Sequence, residues 1–136
     1  MAAFTKFNSF VEAMAEKAHN LGADQIVIAL TNTAPVATDA QLTDITEISY
    51  TNCSSRNATT SSSAQASGTY KLVLADLVIY ASGGTVGPFR YAVLYNDTAT
   101  NDELIGSYDY GSSITLLNGE SFTADFDGTN GVLQLA

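Results

Sequence analysis

Cysteine occurs once in the 136 residues, at Cys53, and tryptophan not at all. A lone cysteine excludes an internal disulfide framework and fits synthesis in a reducing compartment. Cations are scarce: five Lys and Arg stand against 14 Asp and Glu, for a formal charge of −9. From Tyr91 to Ala136 there is no Lys or Arg. That balance leaves no electrostatic footprint for a nucleic-acid backbone, and the same field repels an anionic membrane surface. No apolar run approaches the ~18–20 residues of a membrane span. Glu12 and Glu16 interrupt the stretch where the apolar region of an export signal would lie, so no such signal is expected.

Charged residues are only 14% of the chain, below the ~25% of an average globular domain. Ser and Thr take their place, with 13 and 16 copies. Apolar residues make up 46%, enough for a core and too many for a disordered chain. Abundant Thr, Val and aromatic residues beside few Lys, Glu and Arg favour strands over helices.

One amphipathic helix is expected, within residues 1–22. Phe7, Phe10, Val11, Met14 and Ala18 recur at helical spacing, with Phe4 on the same stripe. Thr5 is its candidate N-cap and Gly22 its candidate stop. The stripe either packs on the core or reaches across to a neighbouring subunit.

From Gln25 the period changes. Residues 25–31 form a short β-branched run, expected as a buried strand. Leu42 to Ile48 alternates only in its second half, as a short edge strand would. Tyr50 to Ser67 reads as a long exposed loop or a pair of weak strands. Tyr70 to Ala81 is strand-forming but broken at Asp76. Pro88 to Tyr95 is apolar on both faces and is expected to be central. Leu104 to Tyr110 is another strand, weakened by Gly106.

The Leu117-Asn118-Gly119 turn tests register. A three-residue loop places Ile114 opposite Phe122 and gives Gly119 the left-handed position. A two-residue loop puts these side chains on opposite faces, so the longer loop is preferred unless the two segments belong to different sheets. Asp127 to Gly131 makes a last turn into Val132 to Leu135. The sum is a single domain, 1–136: an N-terminal helix in 1–22 and, over 25–136, an antiparallel, jelly-roll-like β-sandwich of about seven or eight strands.

Chemistry is hard to assemble from these residues. His19 and Cys53 are the only candidates for an imidazole–thiolate pair, and no third orienting group accompanies them. Asp102-Glu103 and Asp125/Asp127 pair carboxylates, but without Trp or many cations to build a sugar site around them. A calcium loop counted from Asp125 has Asn130 where Gly is needed and Ala136 where Glu is needed. Gly83 to Gly87 lacks the Lys and the helix of a phosphate cradle. No catalytic, cofactor or metal residue is expected, and the protein is read as not an enzyme.

Several segments carry a resemblance. They are Gly87-Pro88-Phe89-Arg90-Tyr91-Ala92-Val93-Leu94-Tyr95-Asn96-Asp97 and Leu104-Ile105-Gly106-Ser107-Tyr108-Asp109-Tyr110-Gly111. Gly119-Glu120-Ser121-Phe122, Asp125-Phe126 and Asn130-Gly131-Val132 continue it. Upstream come Leu30-Thr31-Asn32-Thr33-Ala34-Pro35-Val36 and Asp44-Ile45-Thr46-Glu47-Ile48. Together these resemble a family of small virion proteins of tailed bacteriophages. The resemblance implies a capsid decoration, or cement, protein. Such a protein is made in the host cytoplasm, binds the major capsid protein and sits on the capsid surface. It also implies a homo-oligomer, a dimer or trimer suited to the local symmetry axes of a shell. The alternative is a tail or tail-tip subunit that recognises the host surface. Candidate partner-contact residues are Phe4 and Phe7 on the stripe, and Tyr108 and Tyr110 near a loop able to meet glycans.

Overall fold

The computed structural model describes residues 2–136. Nine strands and one helix follow in the order β1 (Phe4–Lys6), α1 (Asn8–Ala15), β2 (Ile26–Thr31), β3 (Thr60–Ala66), β4 (Thr69–Leu74), β5 (Leu77–Tyr80), β6 (Val86–Asn96), β7 (Leu104–Leu116), β8 (Ser121–Ala124) and β9 (Leu133–Leu135). The protein is mainly β, and every ladder is antiparallel. The main sheet runs β1-β7-β6-β2; β3-β4-β9 and β5-β8 form two smaller sheets. This grouping of four, three and two strands matches a sandwich more coarsely than the two four-stranded sheets of a jelly roll.

The core lies between the main sheet and the two smaller ones. Ile28, Leu30, Ala92 and Leu94 come from the main sheet. They meet Leu72 and Leu74 of β4, Ile79 of β5 and Ala124 of β8 in one buried cluster. The other face of β2 and β6 is buried too. Val27, Ala29, Val93 and Tyr95 pack there with Phe7, Ile45 and Leu104. β6 is therefore central, flanked by β7 and β2 and apolar on both faces, as its composition predicts.

The helix is shorter than the expected 1–22. Phe4–Lys6 is not its first turn but an edge strand on β7, in register with Tyr108, Ser107 and Gly106. The Phe7 N–H continues this pairing by donating to the Ile105 carbonyl at 3.2 Å, and Phe7, not Thr5, is the extended N-cap. Gly106 explains why the strand can lie there. A Cβ at that position would run into the Phe4 ring, so its absence makes room for β1. The helix stops at Glu16 rather than Gly22. Lys17 takes a left-handed conformation (φ 70°), and the Ala18 N–H reaches back to the Ala13 carbonyl at 2.8 Å. This is a Schellman stop with lysine where glycine is usual.

The segment from Leu42 to Ala58 covers the free edge of β2. Its first residues, Leu42–Asp44, form one 3₁₀ turn, and the edge strand expected over 45–48 does not form. Individual backbone bonds dock it instead: Ile48 N–H to the Leu30 carbonyl, Ile28 N–H to the Arg56 carbonyl, Ala58 N–H to the Ile26 carbonyl. An edge covered this way is closed to other strands. The Ser- and Thr-rich part that follows is ordered as β3, paired with β4. Asp76 separates β4 from β5, and its carboxylate accepts the Phe126 N–H at 2.8 Å.

The turn at Leu117–Glu120 joins strands of different sheets, since β7 pairs with β6 and β8 with β5. Ile114 and Phe122 are therefore not register partners: Phe89 faces Ile114 and Ile79 faces Phe122. Gly119 nevertheless takes the left-handed position (φ 89°) that the turn requires.

Candidate functional site

Two concave regions flank the C-terminal end of α1. The first is an apolar groove of about 610 Å³ between α1, β1 and β9. Phe4, Phe10, Val11, Met14, Leu133 and Leu135 form its walls, and among the described residues Lys6 is its only charged one. Phe10 is buried, whereas Val11 and Leu135 are 56% and 43% exposed. The helical stripe is thus divided. Phe10 enters the central core and Phe7 the opposite one, while Val11 is left at the surface. β1 and β9 are also edge strands of their sheets, so the groove lies between two strand edges.

The second region is a polar cleft of about 710 Å³ beside the segment that follows α1. Lys17, His19, Asp24, Thr98, Thr100 and Glu103 are among its lining residues. Beneath it, the fully buried Asn96 holds four groups. Its side-chain nitrogen bonds His19 Nδ1 at 3.0 Å and donates to Asp24 Oδ2 at 2.6 Å. Its oxygen accepts the Thr98 and Ala99 N–H groups at 3.0 and 3.1 Å. The His19 ring packs on Phe10 with centroids 5.3 Å apart. Burial lowers the pKa of His19, opposed by the carboxylates of Glu103 and Asp24.

The residues singled out in the sequence separate here. Phe7 and Tyr108 are 3% and 4% exposed, so neither presents its side chain to a partner. Tyr108 lies in an aromatic row with Phe4, Tyr110 and Phe126. Burial pushes the Tyr110 hydroxyl up to about 12 and the Tyr108 hydroxyl up as well. Phe4 and Tyr110 are half-buried, and only Phe4 borders the groove.

Other expectations resolve locally. Cys53 is half-buried and bridges to Ala81, while His19 is held by Asn96, so the two share no partner. Burial pushes the Cys53 thiol up, away from the thiolate. Asp127 spends its carboxylate on its own turn, accepting the Thr129 and Asn130 N–H groups at 2.8 Å each. Those bonds hold its pKa down. Among the described residues, no group of three His, Cys, Asp or Glu side chains is placed to hold a metal ion.

Sequence reasoning missed the groove because β1 reads as helix, and missed the Asn96 hub because Asn96 lies just beyond the strand read to end at Tyr95. Among the described residues, no helix is long and apolar enough to cross a membrane. No family model, curated protein or solved structure matches the chain.

Proposed function

We propose that this chain is a tailed-bacteriophage virion protein without catalytic activity, most simply a capsid decoration protein that binds and stabilises the shell of major capsid protein. The observation that carries the reading is the apolar groove, with Val11 and Leu135 exposed beside the edges of β1 and β9. A face of this kind gains from covering by another protein, at roughly 25 cal/mol per Å² of apolar area. The formal charge of −9 supports the same reading by keeping free copies apart until assembly.

Each copy then needs only a standard interface, on the order of 1,000 Å² or more. Joining copies in a dimer or trimer raises the effective concentration of every further contact. Repeated over a shell, modest contacts sum to resistance against the outward pressure of packaged DNA. The resemblance in β6 and β7 points to the same class of protein, and the β-rich fold is compatible with it.

The test is to mix purified protein with undecorated shells assembled from the major capsid protein of the same phage. Saturable binding and a higher shell melting temperature are expected. Val11→Asp combined with Leu135→Asp should weaken binding about tenfold or more, since it buries charge in the contact. Wild-type protein that neither binds such shells nor stabilises them overturns the reading.

A further inference from the structure

The polar cluster under the cleft has a defined direction of hydrogen bonding. The Thr98 and Ala99 N–H groups are donors only, so the Asn96 atom they meet must be its oxygen. The amide nitrogen therefore faces His19 and Asp24, and both of its hydrogens are used. His19 Nδ1 can then only accept, and the ring proton of the neutral imidazole sits on Nε2. Nε2 is buried with no partner, and so is Glu103 Oε2 in the wall of the same cleft.

We infer that His19 and Asn96 form a proton-operated latch between the segment after α1 and the β6–β7 turn, shut while the imidazole is neutral and released when Nδ1 takes a proton. A proton on Nδ1 sets two donors against each other, because the Asn96 amide cannot also turn its oxygen there without abandoning Thr98 and Ala99. With the ring held against Phe10, the amide rotates to turn its oxygen to Nδ1 and frees those two N–H groups. The Thr98–Thr100 rim of the cleft then loses its anchor. The opening is local. The Gln25 N–H still donates to Thr98 Oγ1 at 2.9 Å, and the Asp97 N–H to the Gln25 carbonyl at 2.9 Å.

The surroundings set where the latch works. The ring meets Phe10 from α1, Asn96 from β6, Glu103 from the entry to β7 and Asp24 from its own segment. Among the described residues, Glu103 and Asp24 are the charged groups that act on it, and both favour the proton. Burial opposes them and is the larger influence, so release belongs below the ordinary histidine range. The latch is independent of the decoration role and holds for the free chain.

Amide hydrogen exchange on the ¹⁵N-labelled full chain tests it. Protection factors at Thr98 and Ala99 should fall about tenfold between about pH 7.5 and pH 5, while those of Ala29 and Val93 stay unchanged. The fall should follow the His19 titration read from its imidazole nitrogen shifts. His19→Asn offers an amide oxygen to Asn96 that does not titrate, and should abolish the fall. Protection that is unchanged in the wild type, or that still falls in H19N, overturns the latch. If H19N does not fold, the wild-type imidazole decides: a proton on Nδ1 at about pH 7.5 overturns the latch, and a proton on Nε2 upholds it.

Discussion

The Arg56 guanidinium lies over the Tyr50 ring, its central carbon 3.5 Å from the ring centroid. The pair clamps the covering segment to β2. Arg56 donates to the Ile28 carbonyl at 2.6 Å, and the Tyr50 hydroxyl accepts the Leu30 N–H at 2.9 Å while donating to Glu47 Oε1 at 2.7 Å. One cation among five is thereby spent on closing a sheet edge rather than on solubility.

Removing that cation should therefore cost stability. Arg56→Ala loses a charge-assisted hydrogen bond and a cation–π contact, together about 2–3 kcal/mol. Arg56→Lys keeps the charge but not the planar guanidinium and should recover less than half. Urea unfolding of the three proteins measures this; equal midpoints for wild type and Arg56→Ala would refute the clamp.

Gly106 should tolerate no side chain. Gly106→Ala forces a methyl group against the Phe4 ring, so β1 must shift or detach at a cost of about 1–3 kcal/mol. The loss should appear first as faster exchange of the Phe7 amide, which continues the β1–β7 pairing. A variant with wild-type stability and an unchanged Phe7 amide would contradict the packing described.

Lys17 offers the opposite case. It holds a left-handed conformation that glycine adopts without steric cost, and its side chain makes no hydrogen bond that the stop depends on. Lys17→Gly should raise stability by about 0.5–1 kcal/mol, visible as a higher melting temperature. A lower one would mean that the lysine side chain contributes more than the strain it carries.

Stability should also fall on mild acidification. His19 has a lower pKa in the folded chain than in the unfolded one, so the unfolded chain binds more protons near pH 6. The contribution is complete above about pH 6.5 and declines as the pH drops from there toward the folded value. The carboxylates whose pKa values are held down, such as Asp127, act only at more acidic pH, so the two effects separate. Melting temperature measured between about pH 7.5 and pH 5 should drop in the wild type and stay level in His19→Asn. A flat wild-type profile would rule out this linkage.

Much of the fold is legible in individual residues. Residues 26–31 and 88–95 announce buried strands because both their faces are apolar. Asp76 announces a break because a carboxylate cannot remain inside a continuous apolar run, and it ends up holding the Phe126 N–H. The candidate contact residues were less legible. Phe4 fits a helical stripe as well as a strand, and only the vacancy over Gly106 decides for the strand. Tyr108 is a contact candidate only because it lies near an exposed loop, whereas the Phe4 and Phe126 rings pack on it and bury it.

By itself, the sequence determined a β-rich chain with one N-terminal amphipathic helix, an excess of negative charge and turns at its Gly, Asn and Asp clusters. Each of these follows from local sterics and hydropathy, which neighbours in sequence settle among themselves. Tertiary structure alone decided which strand edges are covered, where Phe4 goes and that β7 and β8 part into different sheets. It also decided that Asn96 joins His19 and Asp24 across more than 70 positions. Those outcomes depend on side chains distant in sequence competing for the same buried volume and the same hydrogen-bond donors, a competition that no local pattern records.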